Sequence, residues 1–184
     1  MNEEQALLML NDRVKTPNLI KHCLACEAAM KELAEYFKED EEKWGLAGLL
    51  HDIDYEETKD KPEQHSLIGS EFLQSQGIDK EIVEAVKTHN EIHGFAPQSK
   101  MAKALFCVDP LTGLIVAATL VLPSKQIKDV TTDNVLNRFK EKGFAKGANR
   151  EIIKQCEFLL EISLKEFVDL VLQGMQKIDK KLGL

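Results

Sequence analysis

The chain has 184 residues, 43% of them apolar and 30% charged, with a formal net charge of −7. That length and balance describe a globular chain able to bury one core, read as a single domain over residues 1–184. The acidic balance speaks against a nucleic-acid module, which needs a basic face, but it stays compatible with a small phosphorylated substrate, because a metal site carries its own positive charge.

The acidic opening MNEEQALLMLND lacks the basic start and cleavage pattern of a signal peptide. Ala6, Leu7, Leu10 and Val14 share one face of a first helix over about 3–14. Thr16-Pro17 reads as the N-cap and first position of a helix running to about Phe37, with Ile20, Cys23, Leu24, Met30, Ala34 and Phe37 as its main apolar face. His22 lies roughly opposite that stripe, beside Cys26, Ala29 and Leu33. A helix apolar on two sides is surrounded by protein, so His22 is expected to be buried and to need a partner. Cys23 and Cys26 fall inside the helical pattern and are read as core packing. With Cys107 and Cys156 as the remaining cysteines and no secretion signal, no disulfide framework is expected.

Asp40 caps a third helix, from Glu41 through Asp52. The pair His51-Asp52 follows Leu46, Ala47, Leu49 and Leu50, where a charged group is costly unless compensated, and a metal ion compensates it. Residues 53–61 form a charged linker. Pro62 is read as opening a helix to about Gln76, ended by Gly77, with His65 in its first turn. Asp79 caps the next helix, which carries Ile82, Val83, Val86 and His89 and is closed by Gly94. Ser99 caps a helix ending near Asp109, which lies at i+7 from Ala102 on the buried side. Pro110 is read as starting a separate apolar helix, ended by Pro123. Its run Leu114–Leu122 is far short of the ~20 residues that span a bilayer, so no membrane contact and a cytoplasmic location are the default expectations. Residues 124–150 are polar and basic-leaning, and amphipathic helices follow at about 149–160 and 163–180. The expected fold is all-α, with a helical bundle core over about 17–122 and a C-terminal helical extension over about 123–184.

His22, His51, Asp52, His65, His89 and Asp109 thus fall at the inner faces or ends of consecutive helices. Each alone has a plain structural role, as a hydrogen-bonded core histidine or a capping aspartate; together they form a candidate metal site. Imidazole and carboxylate ligands suit Mn, Fe, Co, Ni or Zn, and the lack of thiolates in the set argues against a structural zinc.

The ordered residues His22, His51-Asp52 and Asp109 resemble the H…HD…D signature of the HD-domain superfamily of metal-dependent phosphohydrolases, with the local string AGLLHDIDYE from Ala47 to Glu56. The resemblance covers about residues 17–122. It implies an all-α bundle with the site in its middle and one divalent ion on His22, His51, Asp52 and Asp109. In two-metal members a second ion would use Asp52, His65 and His89. The implied activity is hydrolysis of a small phosphate ester, with nucleotides among the candidates, by a metal-activated water. Asp54 stands where the HDIG subgroup has glycine, so that subgroup's substrate is not carried over. Asp52 is expected to orient and bridge, while Asp54 and Glu56 are candidates for relaying a proton to the leaving group. His93 and Lys103 are candidate substrate contacts, and the basic segment from Arg138 to Arg150 is a candidate cover for the mouth of the site. Two other readings stay open: a di-iron oxygenase built on the same ligands, and a non-catalytic metal- or ligand-binding module. The substrate, the number of ions and the oligomeric state are left open by the sequence.

Overall fold

Short polar side chains punctuate the chain, and every regular element between them is helical. The computed structural model describes residues 1–184. Its helices are α1 (Glu3–Arg13), α2 (Pro17–Phe37), α3 (Glu41–Leu50), α4 (Tyr55–Thr58), α5 (Leu67–Ser75), α6 (Lys80–Thr88), α7 (Lys100–Leu120), α8 (Thr132–Lys140), α9 (Arg150–Lys154), α10 (Cys156–Leu159), α11 (Leu164–Gln176) and α12 (Asp179–Leu182). Asn2, Asp40, Asp79, Ser99, Thr131, Asn149 and Ser163 each accept a bond from a backbone N–H of the first turn that would otherwise lack a partner. Thr16 stands at the N-cap of α2 without a side-chain cap bond; its own backbone N–H donates to Glu56 Oε1 at 2.6 Å.

Three expected boundaries move, each for a local reason. Residues 62–66 form turns rather than the start of a helix, because Ser66 adopts a left-handed backbone (φ 72°) and its hydroxyl donates to the Lys87 carbonyl at 3.1 Å. α6 stops at Thr88, and a 3-10 turn at Glu91–His93 follows, so His93 does not continue the face that carries His89. Pro110 does not start a helix; it lies inside α7. Proline costs an interior helix one hydrogen bond and a ring clash. Burial of Leu105, Phe106 and Val108 before it and of Leu111, Leu114 and Ile115 after it offsets that cost. The polar, basic-leaning stretch 124–150 holds a helix, α8, started by a capping box at Thr131.

α2 is the central element and packs against α3, α7 and α11. Two glycines set how closely. A Cβ at Gly48 of α3 would come within 2.6 Å of the Cys26 carbonyl oxygen, and one at Gly174 of α11 within 2.6 Å of the Ala28 carbonyl oxygen. Backbone atoms cannot yield there as a flexible side chain could. Gly48→Ala is therefore expected to lower stability by about 1–3 kcal/mol despite alanine's better helix propensity. Urea denaturation measures this, and stability at or above the parent value would refute the close-packing argument. α7 is long and apolar enough to cross a membrane by length and composition alone, but 67% of its apolar window is buried inside the protein.

Candidate metal centre

The site begins with two helices ending in the same way. His51 follows the last residue of α3, and His89 follows the last residue of α6. The final carbonyls of a helix have no intrahelical partner. His51 Nδ1 donates to one of them, Gly48 O, at 2.8 Å, and His89 Nδ1 donates to Val86 O at 2.6 Å. Both bonds run three residues back, and both turn Nε2 inward. His65 is held differently: its Nδ1 donates to Asp54 Oδ1 at 2.9 Å, while Asp54 Oδ2 accepts from the Gly69 N–H at 2.7 Å. His22, in the second turn of α2, approaches Thr112 Oγ1 with Nδ1 at 3.2 Å, and the Thr112 hydroxyl donates onward to the Asp109 carbonyl at 2.9 Å. All four rings thus place Nδ1 against an acceptor and direct Nε2 to a common centre. A donor at Nδ1 selects the tautomer whose Nε2 lone pair can bind a metal.

The inward atoms lie close together. His22 Nε2 is 3.2 Å from His51 Nε2 and 3.0 Å from Asp109 Oδ1. Asp52 divides between two groups. Its Oδ2 faces His51 and His22 at 3.5 and 3.7 Å, and its Oδ1 faces His65 and His89 at 3.2 and 3.6 Å. His65 and His89 approach each other, Nε2 to Nε2, at 3.2 Å. Ligands about 2.0–2.2 Å from one ion, in tetrahedral or octahedral array, stand about 3–3.5 Å apart. The observed spacings match that, and two imidazole lone pairs at this distance need a proton or a cation between them. The donor set therefore fits divalent cations.

Electrostatics point the same way. Burial would raise the pKa of Asp52, but His51, His65, His89 and His22 outweigh it and hold its carboxyl well below the usual range. Asp109 is lowered too: burial opposes ionisation and His22 overcomes it. Burial, against a smaller opposing pull from Asp52, drives His51 down to about 4, so its ring is neutral. For His65, burial is overcome by the bonds to Asp52 and Asp54, which push it up to about 10. For His22, burial is outweighed by the contact with Asp109, which raises it above its ordinary value. The metal-free centre thus balances its carboxylates with protons on His22 and His65.

His51, Asp52 and His89 are buried, whereas the side chains of His22 and Asp109 are 24% and 31% exposed. The mouth is therefore on the His22–Asp109 side. A cavity of about 300 Å³ opens there, walled by Pro110, Gly113, Ala145, Gly147 and Ala148. The basic segment does fold back over the mouth, and its cover is made of small residues. Arg150 holds that cover by donating to the carbonyls of Phe144, Ala145 and Ala148.

Other expected site residues take different places. Asp54 has no solvent-exposed surface and both its oxygens are engaged, so it orients His65 and has no route to a leaving group. Glu56 is occupied at the Thr16 N–H, at the start of α2. His93 Nε2 donates to the His65 carbonyl at 2.7 Å, so it steadies the turn that carries a ligand candidate. Lys103 lies six residues before Asp109 on α7, about 120° around the helix from it. Sequence reasoning missed Thr112 and Cys26. Thr112 could have been found three residues after Asp109. Cys26 lies one turn after His22, with Sγ 3.9 Å from His22 Nε2 and 3.6 Å from Thr112 Oγ1, and burial keeps its thiol protonated.

Comparison with known proteins agrees with this geometry. The chain matches 29% of positions over 140 residues with Ribonuclease Y of Lawsonia intracellularis, covering 74% of this chain and 27% of that protein. Ribonuclease Y of Oleidesulfovibrio alaskensis is 28% identical over 138 residues, covering 73% and 26%. The chain thus spans about a quarter of the length of these curated relatives. No solved structure matches it significantly. The family model for the HD domain matches residues 19–112, which is more than half of the chain and takes in His22, His51-Asp52 and Asp109. The chain belongs to the HD-domain family.

Proposed function

We propose that the protein is a divalent-metal-dependent phosphohydrolase acting on a small phosphate ester. The observation that carries this reading is the division of Asp52, whose two oxygens face separate pairs of imidazoles. Such a carboxylate suits a bridge between two ions, one on His22, His51 and Asp109, the other on His65 and His89. Imidazole and carboxylate donors suit Mn, Fe, Co, Ni or Zn. Divalent ions bound there would supply Lewis acidity and lower the pKa of water. The chain's own groups do the remaining work. Asp54, Gly48 O, Val86 O and Thr112 fix the four imidazoles, and the cover held by Arg150 limits solvent at the mouth. The relatives named ribonuclease act, by that name, on a phosphodiester polymer, which supports phosphate-ester chemistry here.

The test is metal analysis of natively purified protein, followed by a screen of phosphomonoesters and phosphodiesters with the metal found. Hydrolysis that disappears on chelation and returns with metal is expected. Two irons with turnover dependent on dioxygen, or no hydrolysis of any ester, would overturn the reading.

Asp54→Asn probes the support of the second ion. Both partners of Asp54 are donors, and an amide offers only one acceptor for the two of them. Weakening of the ion on His65 and His89 by about 10–100-fold is expected in a metal titration. Two ions bound at parental affinity would refute the positioning role of Asp54.

A further inference from the structure

The space at the mouth does not end at Asp109. A larger cavity of about 420 Å³ lies between α2, α7 and α12 and shares His22 and Gly113 with the mouth. Its inner wall is apolar, with Val116, Leu120 and Leu182. Leu120 is 49% exposed and lies at the edge of the cavity. Lys21 stands at the opposite rim, its Nζ 3.0 Å from where a Cβ at Gly183 would lie, so its ammonium reaches across to the end of α12.

Gly113 joins the two spaces. It lies four residues after Asp109, on the same face of α7. Glycine is a poor helix former in the middle of a helix. Packing does not require it, since a Cβ built there meets nothing within 4 Å. What its missing side chain leaves is open space beside Asp109, where the two cavities adjoin at His22 and Gly113.

We propose that this second cavity is the leaving-group subsite: it takes an apolar, aryl-sized alcohol moiety of the phosphate ester while the phosphate sits at His22 and Asp109. The assignment rests on the phosphohydrolase reading and deepens it. Its volume lies within the range of small-molecule pockets, and its lining follows their pattern of apolar walls with few polar groups.

The test is calorimetric binding of methylphosphonate and phenylphosphonate, neither of which is hydrolysed, to the natively metallated full chain. Phenylphosphonate is expected to bind about tenfold or more tightly, from burial of its ring. Gly113→Leu fills the space the two cavities share, and Leu120→Asp makes the edge of the larger one polar; both should bring the ratio of affinities near one. Both positions tolerate folding, because the first opens on free space and the second is half exposed. Equal binding of the two phosphonates by the parent, or variants that keep the preference, would overturn the subsite and leave the hydrolase reading standing. Failure of both phosphonates to bind would overturn both.

Discussion

Asp52→Asn protein is expected to lose phosphate-ester turnover by roughly 10³-fold or more and to hold divalent ions weakly in both halves of the site. The size of the effect follows from position. Asp52 is the one side chain whose atoms face all four inward imidazoles, with Oδ2 toward His22 and His51 and Oδ1 toward His65 and His89. An asparagine retains one oxygen, so one half meets an N–H where it had an acceptor. The substitution also removes the buried negative charge that four histidines stabilise. Asp109→Asn gives the contrasting result, because Asp109 faces only His22 and His51. It should weaken one ion and spare the other. Metal content and turnover measured on both variants separate the outcomes. Two ions at parental affinity in Asp52→Asn, or unchanged turnover, would refute the bridging role.

The parts of this centre differ in how far they could be read from the chain. The ordered set His22, His51-Asp52 and Asp109 was legible because each residue interrupts an apolar helical pattern, and a polar group on a buried face needs a partner. α1, α2 and α3 were legible to within about two residues from Thr16-Pro17, Asp40 and the apolar spacing. The turn at His65 was not, because Pro62 is a valid helix start and nothing local reveals that Ser66 will take a left-handed backbone to cap α6. Asp54 was misplaced for a related reason. In a charged stretch it resembles a solvated acid, and only the packing of α5 against that stretch brings the Gly69 N–H and His65 to its two oxygens. Pro110 misled in the opposite direction. Its local cost is real, but burial along both flanks of α7 outweighs it. Long-range packing decided each of these, and it leaves no local signal.

Metal binding should expel protons, and the affinity should therefore rise with pH. His65 is pushed up to about 10 in the metal-free protein, so it is protonated at neutral pH, and His22 lies above its ordinary value. A metal ligand must be neutral imidazole. His51, driven down to about 4 by burial, is already neutral and releases nothing. Below pH 10 an ion on the His65 half would displace one proton, and the raised pKa of His22 adds to the release in the other half. Each apparent affinity is then expected to rise by up to about tenfold per pH unit between pH 6 and 8. The same shift has the opposite consequence for the metal-free fold. A raised histidine pKa adds stability that is complete below the unfolded value and is lost as pH rises through the folded one. Metal-free protein should accordingly weaken from about pH 6.5 toward pH 10 while the metal-loaded form does not, so the gain in melting temperature on adding metal should widen across that window. Calorimetry in buffers of different ionisation enthalpy counts the protons directly. An affinity independent of pH from 6 to 8, with no dependence of heat on buffer, would show that protons do not stand in for the cations at this centre.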